Sequence, residues 1–252
     1  GMFKAVLERV RQGHRTTRYP AEPAALPELF RGYPRLDPTR CPPGCTVCTE
    51  ACPVNAVYHA NGLAVDMGKC LFCPECEQAC PTGALTFERD ERLAASERED
   101  LVVREGEERR LAHSLGQKLL ALYGRSFKLR EVSAGGCNAC EADTNVLSTV
   151  GFDLGRFGIQ FVASPRHADG MYVTGPVTEN MRIAMLKTWD AIPSPKVLIA
   201  AGACAIDGGP FHGLHEVHNG VDTFLPVDLY IPGCPPHPLT ILDGLLRLLG
   251  RV

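Results

Sequence analysis

Apolar and polar positions are patterned differently in the two halves of the chain. In the second half, short unbroken apolar runs recur at Ile159–Val162, Met171–Val173 and Val197–Ala201, the length and continuity of strands buried on both faces. Helical spacing appears between and after them. Met181, Met185, Trp189 and Ile192 follow Thr178, a residue suited to capping, and Ile241, Leu242, Leu245 and Leu249 lie between Pro238 and Gly250. Strands alternating with helices predict a mostly parallel α/β sheet, whose ligands sit beyond the carboxyl ends of the strands. The first half has no such rhythm.

Residues 2–40 open with a short possible helix and then carry prolines at 20, 23, 27, 34 and 38, which disfavour regular structure. Leu26, Leu29, Phe30 and Tyr33 among the prolines predict an extended strap lying on a surface. Residues 88–110 are charge-dense, with Glu88 to Arg92 and then Glu105 to Arg110, and predict a solvated connector. Leu111, Leu115, Leu119 and Leu122 follow at helical spacing, with Gly124 as a stop and Gly116 a weak point in the middle. The expected division is a lead-in over 1–40, a cysteine-rich unit over 41–92, a charged linker and bridging helix over 93–124, and the α/β unit over 125–252.

A chain of 252 residues with 45% apolar content can fill a core of one large or two modest domains. Its net charge of -3, from 26 basic and 29 acidic residues, offers no basic face for nucleic acid. Neither a Gly-x-Gly-x-x-Gly after a strand nor a Gly-x4-Gly-Lys-Ser/Thr occurs, so no dinucleotide or ATP phosphate cradle is visible. The twelve cysteines would suit disulfides in a secreted protein, but Met2 to Arg9 lacks the apolar core of a signal peptide. A reducing compartment, with the thiols as ligands, is the expectation. The longest clean apolar run, Val197–Ile206, falls well short of the ~20 residues that span a bilayer, so membrane attachment is expected through partners. Gly1 ahead of Met2 has the look of a cloning remnant.

The cysteines of the first half repeat. Cys41, Cys45, Cys48 and Cys52-Pro53 are followed by Cys70, Cys73, Cys76 and Cys80-Pro81, and each set runs into a similar tail, Val54-Asn55-Ala56-Val57-Tyr58 and Thr82-Gly83-Ala84-Leu85-Thr86. Three thiolates from one tight loop can cap three irons of a cube, while the last cysteine, past a helical turn, points the other way. The pattern resembles a bacterial two-cluster ferredoxin, in which the fourth cysteine of each run reaches across to the other cluster. That resemblance implies a small α+β domain in which Cys41, Cys45, Cys48 and Cys80 hold one 4Fe-4S cluster and Cys70, Cys73, Cys76 and Cys52 hold another. The first run departs from the pattern, since Pro42-Pro43-Gly44 puts three residues between Cys41 and Cys45; a bulge absorbs the extra one. A zinc knuckle also uses Cys-x2-Cys, but in two separate pairs without a third cysteine three positions on.

The remaining four cysteines fall in the second half. Cys137 and Cys140 stand three apart in Gly135-Gly136-Cys137-Asn138-Ala139-Cys140-Glu141, and Cys204, in Ala-Gly-Ala-Cys, and Cys234, in Ile-Pro-Gly-Cys-Pro-Pro, each follow a strand-like run. Together they make one tetrathiolate, and twelve thiols divide into three sets of four. This half resembles the small subunit of membrane-bound, energy-converting nickel-iron hydrogenases and the related subunit of respiratory complex I. Ser164-Pro165-Arg166-His167-Ala168-Asp169, Val173-Thr174-Gly175-Pro176-Val177 and Pro232-Gly233-Cys234-Pro235-Pro236 share in the likeness. The resemblance implies a flavodoxin-like fold and a proximal 4Fe-4S cluster on Cys137, Cys140, Cys204 and Cys234, beside the active site of a partner subunit. In complex I the first two ligands are adjacent cysteines; the spacing here is of the hydrogenase type.

The lead-in Tyr33-Pro34-Arg35-Leu36-Asp37 is similar to the ferredoxin subunits of such complexes, so the chain looks like a natural fusion of two subunits. The implied function is electron relay, through three 4Fe-4S clusters, between an external donor or acceptor and a nickel-iron site in a separate large subunit where protons and dihydrogen interconvert. None of the paired cysteines expected to hold nickel is in this chain. Membrane subunits of the complex are further implied partners, with a cytoplasmic placement on the inner face of the membrane. The alternatives are a subunit of a complex I-like assembly without nickel, passing electrons to quinone, and a free-standing multi-cluster carrier.

Other residues carry weaker signals. Glu141 is either a first-turn acid favoured by a helix dipole or, by resemblance, a carboxylate near the proton route to nickel. Asp143 and Thr144 are expected on a helix surface, and Arg166 and His167 near the large-subunit interface without chemistry. His212, His215 and His218 stand at i, i+3 and i+6, but the surrounding Gly and Asn predict a surface loop or partner contact over a metal site.

Overall fold

The protein is described by a computed structural model that covers residues 2–23 and 25–252; Gly1 lies outside the described residues. The first half contains α1 (Met2–Gln12), β1 (Pro34–Leu36), α2 (Val47–Glu50), β2 (Val57–His59), β3 (Leu63–Asp66), α3 (Glu75–Ala79), β4 (Leu85–Phe87) and β5 (Val102–Arg104). A bridging helix, α4 (Gln117–Tyr123), leads to β6 (Phe127–Ser133), α5 (Ala139–Val146), β7 (Ile159–Phe161), β8 (Gly170–Thr174), α6 (Glu179–Ala191), β9 (Val197–Ala201), α7 (Ala203–Asp207), β10 (Leu229–Ile231) and α8 (Pro238–Leu248).

The apolar runs of the second half form one five-stranded sheet in the order β7-β6-β8-β9-β10, with every pairing parallel. Counted from β6 this is the 2-1-3-4-5 order of flavodoxin-like folds, with its switch point between β6 and β8. Both faces are covered, which is why β8 and β9 are buried along their whole length and show no alternation. α8 is buried at ten positions and packs with Phe127, Leu129, Ile199 and Leu229 on one face. On the other, Met185 of α6 and Ala205 and Ile206 of α7 join Val132, Val173 and Leu198.

The first half is two small antiparallel sheets, β1-β4 and β2-β3-β5, around a minor core of Val57, Leu63, Val65 and Leu85 that includes Cys48 and Cys76. The two halves share a core, because Met67, Leu101 and Val103 pack with Val132, Val173 and Ile206. The strap prediction holds in part: Leu26 packs on the α8 face and Tyr33 on the other, but Leu29 is exposed.

Two local expectations give way. The charge-dense stretch is not a solvated connector throughout: Leu93, Ala94 and Ala95 are buried, Ala95 bridges Tyr230 at the edge of the parallel sheet, and Val102–Arg104 completes the β2-β3-β5 sheet. The helix expected from Leu111 begins only at Gln117, with Gly116 at its N-cap. The backbone of Ala112 and Leu115 is instead bonded to Ala94 and Leu248, so tertiary hydrogen bonds outcompete the leucine periodicity.

Candidate metal centre

In the second half the four cysteines arrive by three routes at the carboxyl edge of the sheet. β6 runs through Gly135-Gly136 to Cys137, and Asn138, in the left-handed conformation an asparagine tolerates, turns the chain into α5, whose second residue is Cys140. β9 leads through Gly202 to Cys204 in α7, and β10 through Gly233 to Cys234. The four thiols line one small recess whose remaining walls include Gly136, Ala139, Gly175, Ala203 and Gly233.

These small residues make a cradle. A Cβ on Gly202, whose φ is +89°, would stand 2.7 Å from the Cys140 Sγ, and one on Gly136 would meet the Gly175 Cα at 3.0 Å. Burial, followed by the charges of Glu141 and the other three cysteines, pushes the Cys140 thiol up; burial and then Cys234 and Cys137 push Cys204 up to about 12. Four thiolates crowded in so little water need a cation among them. None of the twelve cysteines is in a disulfide. Donor set, small-residue walls and charge deficit fit an iron–sulfur cluster.

The first half shows the sequence repeat as a structural repeat. Asn55 and Gly83, at matching places in the two tails, both have positive φ, and one residue later an amide turns back on a thiol: Ala56 N–H donates to Cys52 Sγ and Ala84 N–H to Cys80 Sγ, each at 3.2 Å. Burial raises Cys41 and Cys48, and the next contributions to both come from cysteines of their own run and Cys80. Burial likewise raises Cys70, and Cys76 to about 12, with Cys52 and Cys73 acting on both. Cys80 is the exception: although burial opposes it, the amides of Leu85, Thr82 and Ala84 and the Thr82 hydroxyl hold its thiol below the ordinary value.

The second-half group and one first-half group are neighbours. Burial raises the Cys234 thiol, and after it Cys137 and Cys73, so a first-half cysteine lies within electrostatic reach of the sheet edge. Leu71 and Phe72, inside the second run, share a groove with Gly233, Cys234 and Pro235. Nearby, Arg98 links the two loops. Its guanidinium donates to both Asp66 oxygens at 2.9 and 2.8 Å, just before the Cys70 loop, and to Asp207 at 3.4 Å, three residues after Cys204.

Glu141 is buried in the first turn of α5, where its carboxylate accepts from Thr174 Oγ1 at 2.6 Å. Burial works to raise its pKa, but the nearby hydroxyls of Ser133 and Thr174 prevail and hold it below the ordinary carboxylate value. Thr144 departs from the helix-surface expectation: it is buried, donating to the Cys140 carbonyl at 2.7 Å and bonded to the Tyr172 hydroxyl at 3.1 Å. Asp143 is half-buried and lines the groove beside Cys234. Arg166 and His167 are exposed in a short 3-10 turn. His212, His215 and His218 do not converge, since they face Asp207, Glu216 and Glu179 respectively. Sequence reasoning missed Arg98, Ser133 and Glu131, the last a neighbour of Glu141 on β6 with one buried oxygen lacking a partner. Nothing in local pattern marks them.

Comparison with known proteins bears on both halves. Residues 137–248 match the family model "NADH ubiquinone oxidoreductase, 20 Kd subunit", and residues 63–86, which hold the second cysteine run but not the first, match "4Fe-4S binding domain". The chain is 46% identical over 137 residues to formate hydrogenlyase subunit 7 of Escherichia coli, covering 54% of each protein. It is 38% identical over 146 residues to the probable membrane-bound hydrogenase subunit mbhJ of Pyrococcus furiosus, covering 58% of this chain and 87% of that one. It is also 46% identical over 118 residues to an NADH-quinone oxidoreductase subunit of Clostridium beijerinckii, covering 46% of this chain and 70% of that one. The chain thus spans about half the length of formate hydrogenlyase subunit 7 and most of the other two. On the strength of these identities and coverages, the chain belongs to the family of the 20 kDa subunit of NADH ubiquinone oxidoreductase, with a 4Fe-4S binding domain ahead of it.

Proposed function

We propose that this chain is the electron-relay subunit of a membrane-associated, hydrogenase-type complex, holding three 4Fe-4S clusters and serving a nickel-iron site in a separate large subunit. The observation that supports the reading is that Leu71 and Phe72 of the second cysteine run line one groove with Gly233, Cys234 and Pro235 of the sheet edge, so the two halves bring a ferredoxin-type loop to the side of the sheet-edge group. Each cluster, when bound, supplies one-electron exchange at a potential set by charge, hydrogen bonding and solvent access. The chain's own residues supply those settings. Amide donors at Cys52, Cys70 and Cys80 stabilise thiolate charge, and Arg98 holds the Cys70 loop against the Cys204 helix so that the junction keeps one geometry.

Cys41, Cys45, Cys48 and Cys80 are assigned to the outer cluster, Cys52, Cys70, Cys73 and Cys76 to the middle one, and Cys137, Cys140, Cys204 and Cys234 to the one nearest the large subunit. Glu141 is assigned to proton movement there, as a buried carboxylate hydrogen-bonded by Thr174 within one residue of a proposed ligand. The hydrogenase-type reading is favoured over quinone reduction by the Cys137-x2-Cys140 spacing and by two relatives whose names are those of hydrogenase-type subunits.

Anaerobic analysis tests the cluster count: about twelve iron and twelve acid-labile sulfide per chain are expected. About eight iron, with no further loss in Cys41→Ser, would remove the first run as a full site. Viologen-linked dihydrogen oxidation by the assembled complex tests the reaction, with strong loss expected in Glu141→Gln while all clusters remain reducible. An assembled complex inert to dihydrogen that reduces a quinone would move the chain to the complex I-like alternative.

A further inference from the structure

Among the described residues, α1 is the only α-helix without a buried residue. Met2, Phe3, Val6, Leu7 and Val10 are between 54% and 87% exposed, although their side chains are large and apolar. At 3.6 residues per turn they fall within an arc of about 140°. The charged residues are ordered around that arc. Arg9 borders it on one side, Arg11 and Lys4 on the other, and Glu8 lies nearly opposite its centre. Long basic side chains in border positions can lay their stems along an apolar phase and lift their charges to its polar boundary, while the acid stays in water.

The segment that follows the helix is anchored to the second half. A few residues beyond it, Thr17 N–H donates to the Gly151 carbonyl at 2.8 Å, and Arg156 donates to the carbonyls of Thr17 and Tyr19 at 2.7 and 2.8 Å. Tyr19 itself is buried and donates to Asp243 at 3.0 Å. The segment between, with Arg15 and Arg18, adds exposed basic charge beside the helix.

We propose that α1 is an interfacial helix that lays Met2, Phe3, Val6, Leu7 and Val10 into an anionic lipid surface, with Lys4, Arg9 and Arg11 at the headgroup phosphates. An apolar groove on a protein would take the same stripe, but it has no need of basic residues on both borders with the acid turned away. Five apolar side chains on one helix bind reversibly, so α1 orients a subunit that its partners hold to the membrane. The assignment is independent of the redox reading.

Co-sedimentation of the full chain with vesicles decides it. Vesicles of phosphatidylcholine with about a third phosphatidylglycerol should retain the protein at low salt, and pure phosphatidylcholine or high salt should release most of it. Val6→Glu/Val10→Glu, and separately Arg9→Glu/Arg11→Glu, should each weaken retention roughly tenfold or more. Both pairs are exposed, so visible absorption and thermal midpoint should stay as in the native chain. The proposal is overturned if the native chain does not sediment with anionic vesicles, if its retention ignores lipid charge and salt, or if the Val6/Val10 variant is retained equally well. It is also overturned, in favour of a protein groove, if vesicles fail while that variant loses a co-purifying subunit.

Discussion

Eight of the twelve cysteines lie between Cys41 and Cys80, in a region whose helices run four or five residues and whose strands run three or four. The other four hang from the ends of three strands in a five-stranded sheet with a full apolar layer on each face. Helices of four or five residues are not stable alone, and the minor core around them counts two of its own ligand cysteines among its members. There the thiols are part of what holds the fold. In the parallel sheet they are passengers on a scaffold that closes without them. On the proposed assignment, one chain would join a region whose clusters support the fold to a region whose cluster sits at the edge of a scaffold that closes without it.

The largest effect that would break this contrast is loss of iron. Anaerobic chelation should strip hydrogen-exchange protection from residues 41–86, because ligand binding there is folding free energy, while β8 and β9 keep theirs. Simultaneous loss of protection in both regions would mean that the shared core of Met67, Leu101 and Val103 makes them one cooperative unit.

Single ligands sharpen the comparison. Cys204→Ser should remove about four iron per chain and only the sheet-edge signal, leaving two low-potential signals reducible. Cys80→Ser should instead remove the signal that Cys45→Ser removes, although Cys80 belongs to the other run. A Cys80→Ser chain that lost the signal governed by Cys73 would reverse the crossed grouping.

The junction comes next. Arg98→Met leaves Asp66, 5% exposed, without its bidentate partner. Breaking a fully buried pair costs about 3–5 kcal/mol; because the Arg98 side chain is 25% exposed, a loss of about 2 kcal/mol is expected in the denaturant midpoint. Arg98→Lys, which keeps charge without the fork, should recover part of it. The same Arg98→Met chain should show weaker magnetic interaction between the reduced middle and sheet-edge clusters; an unchanged interaction would confine Arg98 to stability.

The smallest effect is a pH dependence. Burial, and then the charge of Glu141, raises Glu131 from 4.5 to about 7. Below the unfolded value the carboxyl is neutral in both states and its burial is tolerated; as pH climbs from 4.5 to about 7 the folded state is increasingly penalised. Glu131→Gln should therefore gain stability relative to the native chain between about pH 5 and pH 8, by about 1–2 kcal/mol once partial solvent access is allowed for. An offset that does not change with pH would show that the carboxyl is not charged there.

The sequence by itself determined whatever is written in short-range spacing. Cysteine intervals mark candidate ligand loops because thiols spaced two or three residues apart in a tight turn can reach one metal centre, and the tail that follows each run marks the repeat seen at Asn55 and Gly83. Unbroken apolar runs alternating with helical periods mark a parallel sheet, because strands covered on both faces have no polar side to show. Tertiary structure alone decided what depends on partners distant in the chain. Arg98 and its carboxylates are separated by 32 and 109 residues, so a run of charges that looked solvated contains the junction between the halves. Thr144 is buried because Tyr172, 28 residues on, lies against its hydroxyl. Residues 111–116 forgo the helix that their leucines allow because Ala94 and Leu248 offer backbone hydrogen bonds. The groove shared by Leu71, Phe72 and Cys234 arises where two separately legible cysteine sets are folded against each other, and no spacing within either one encodes it.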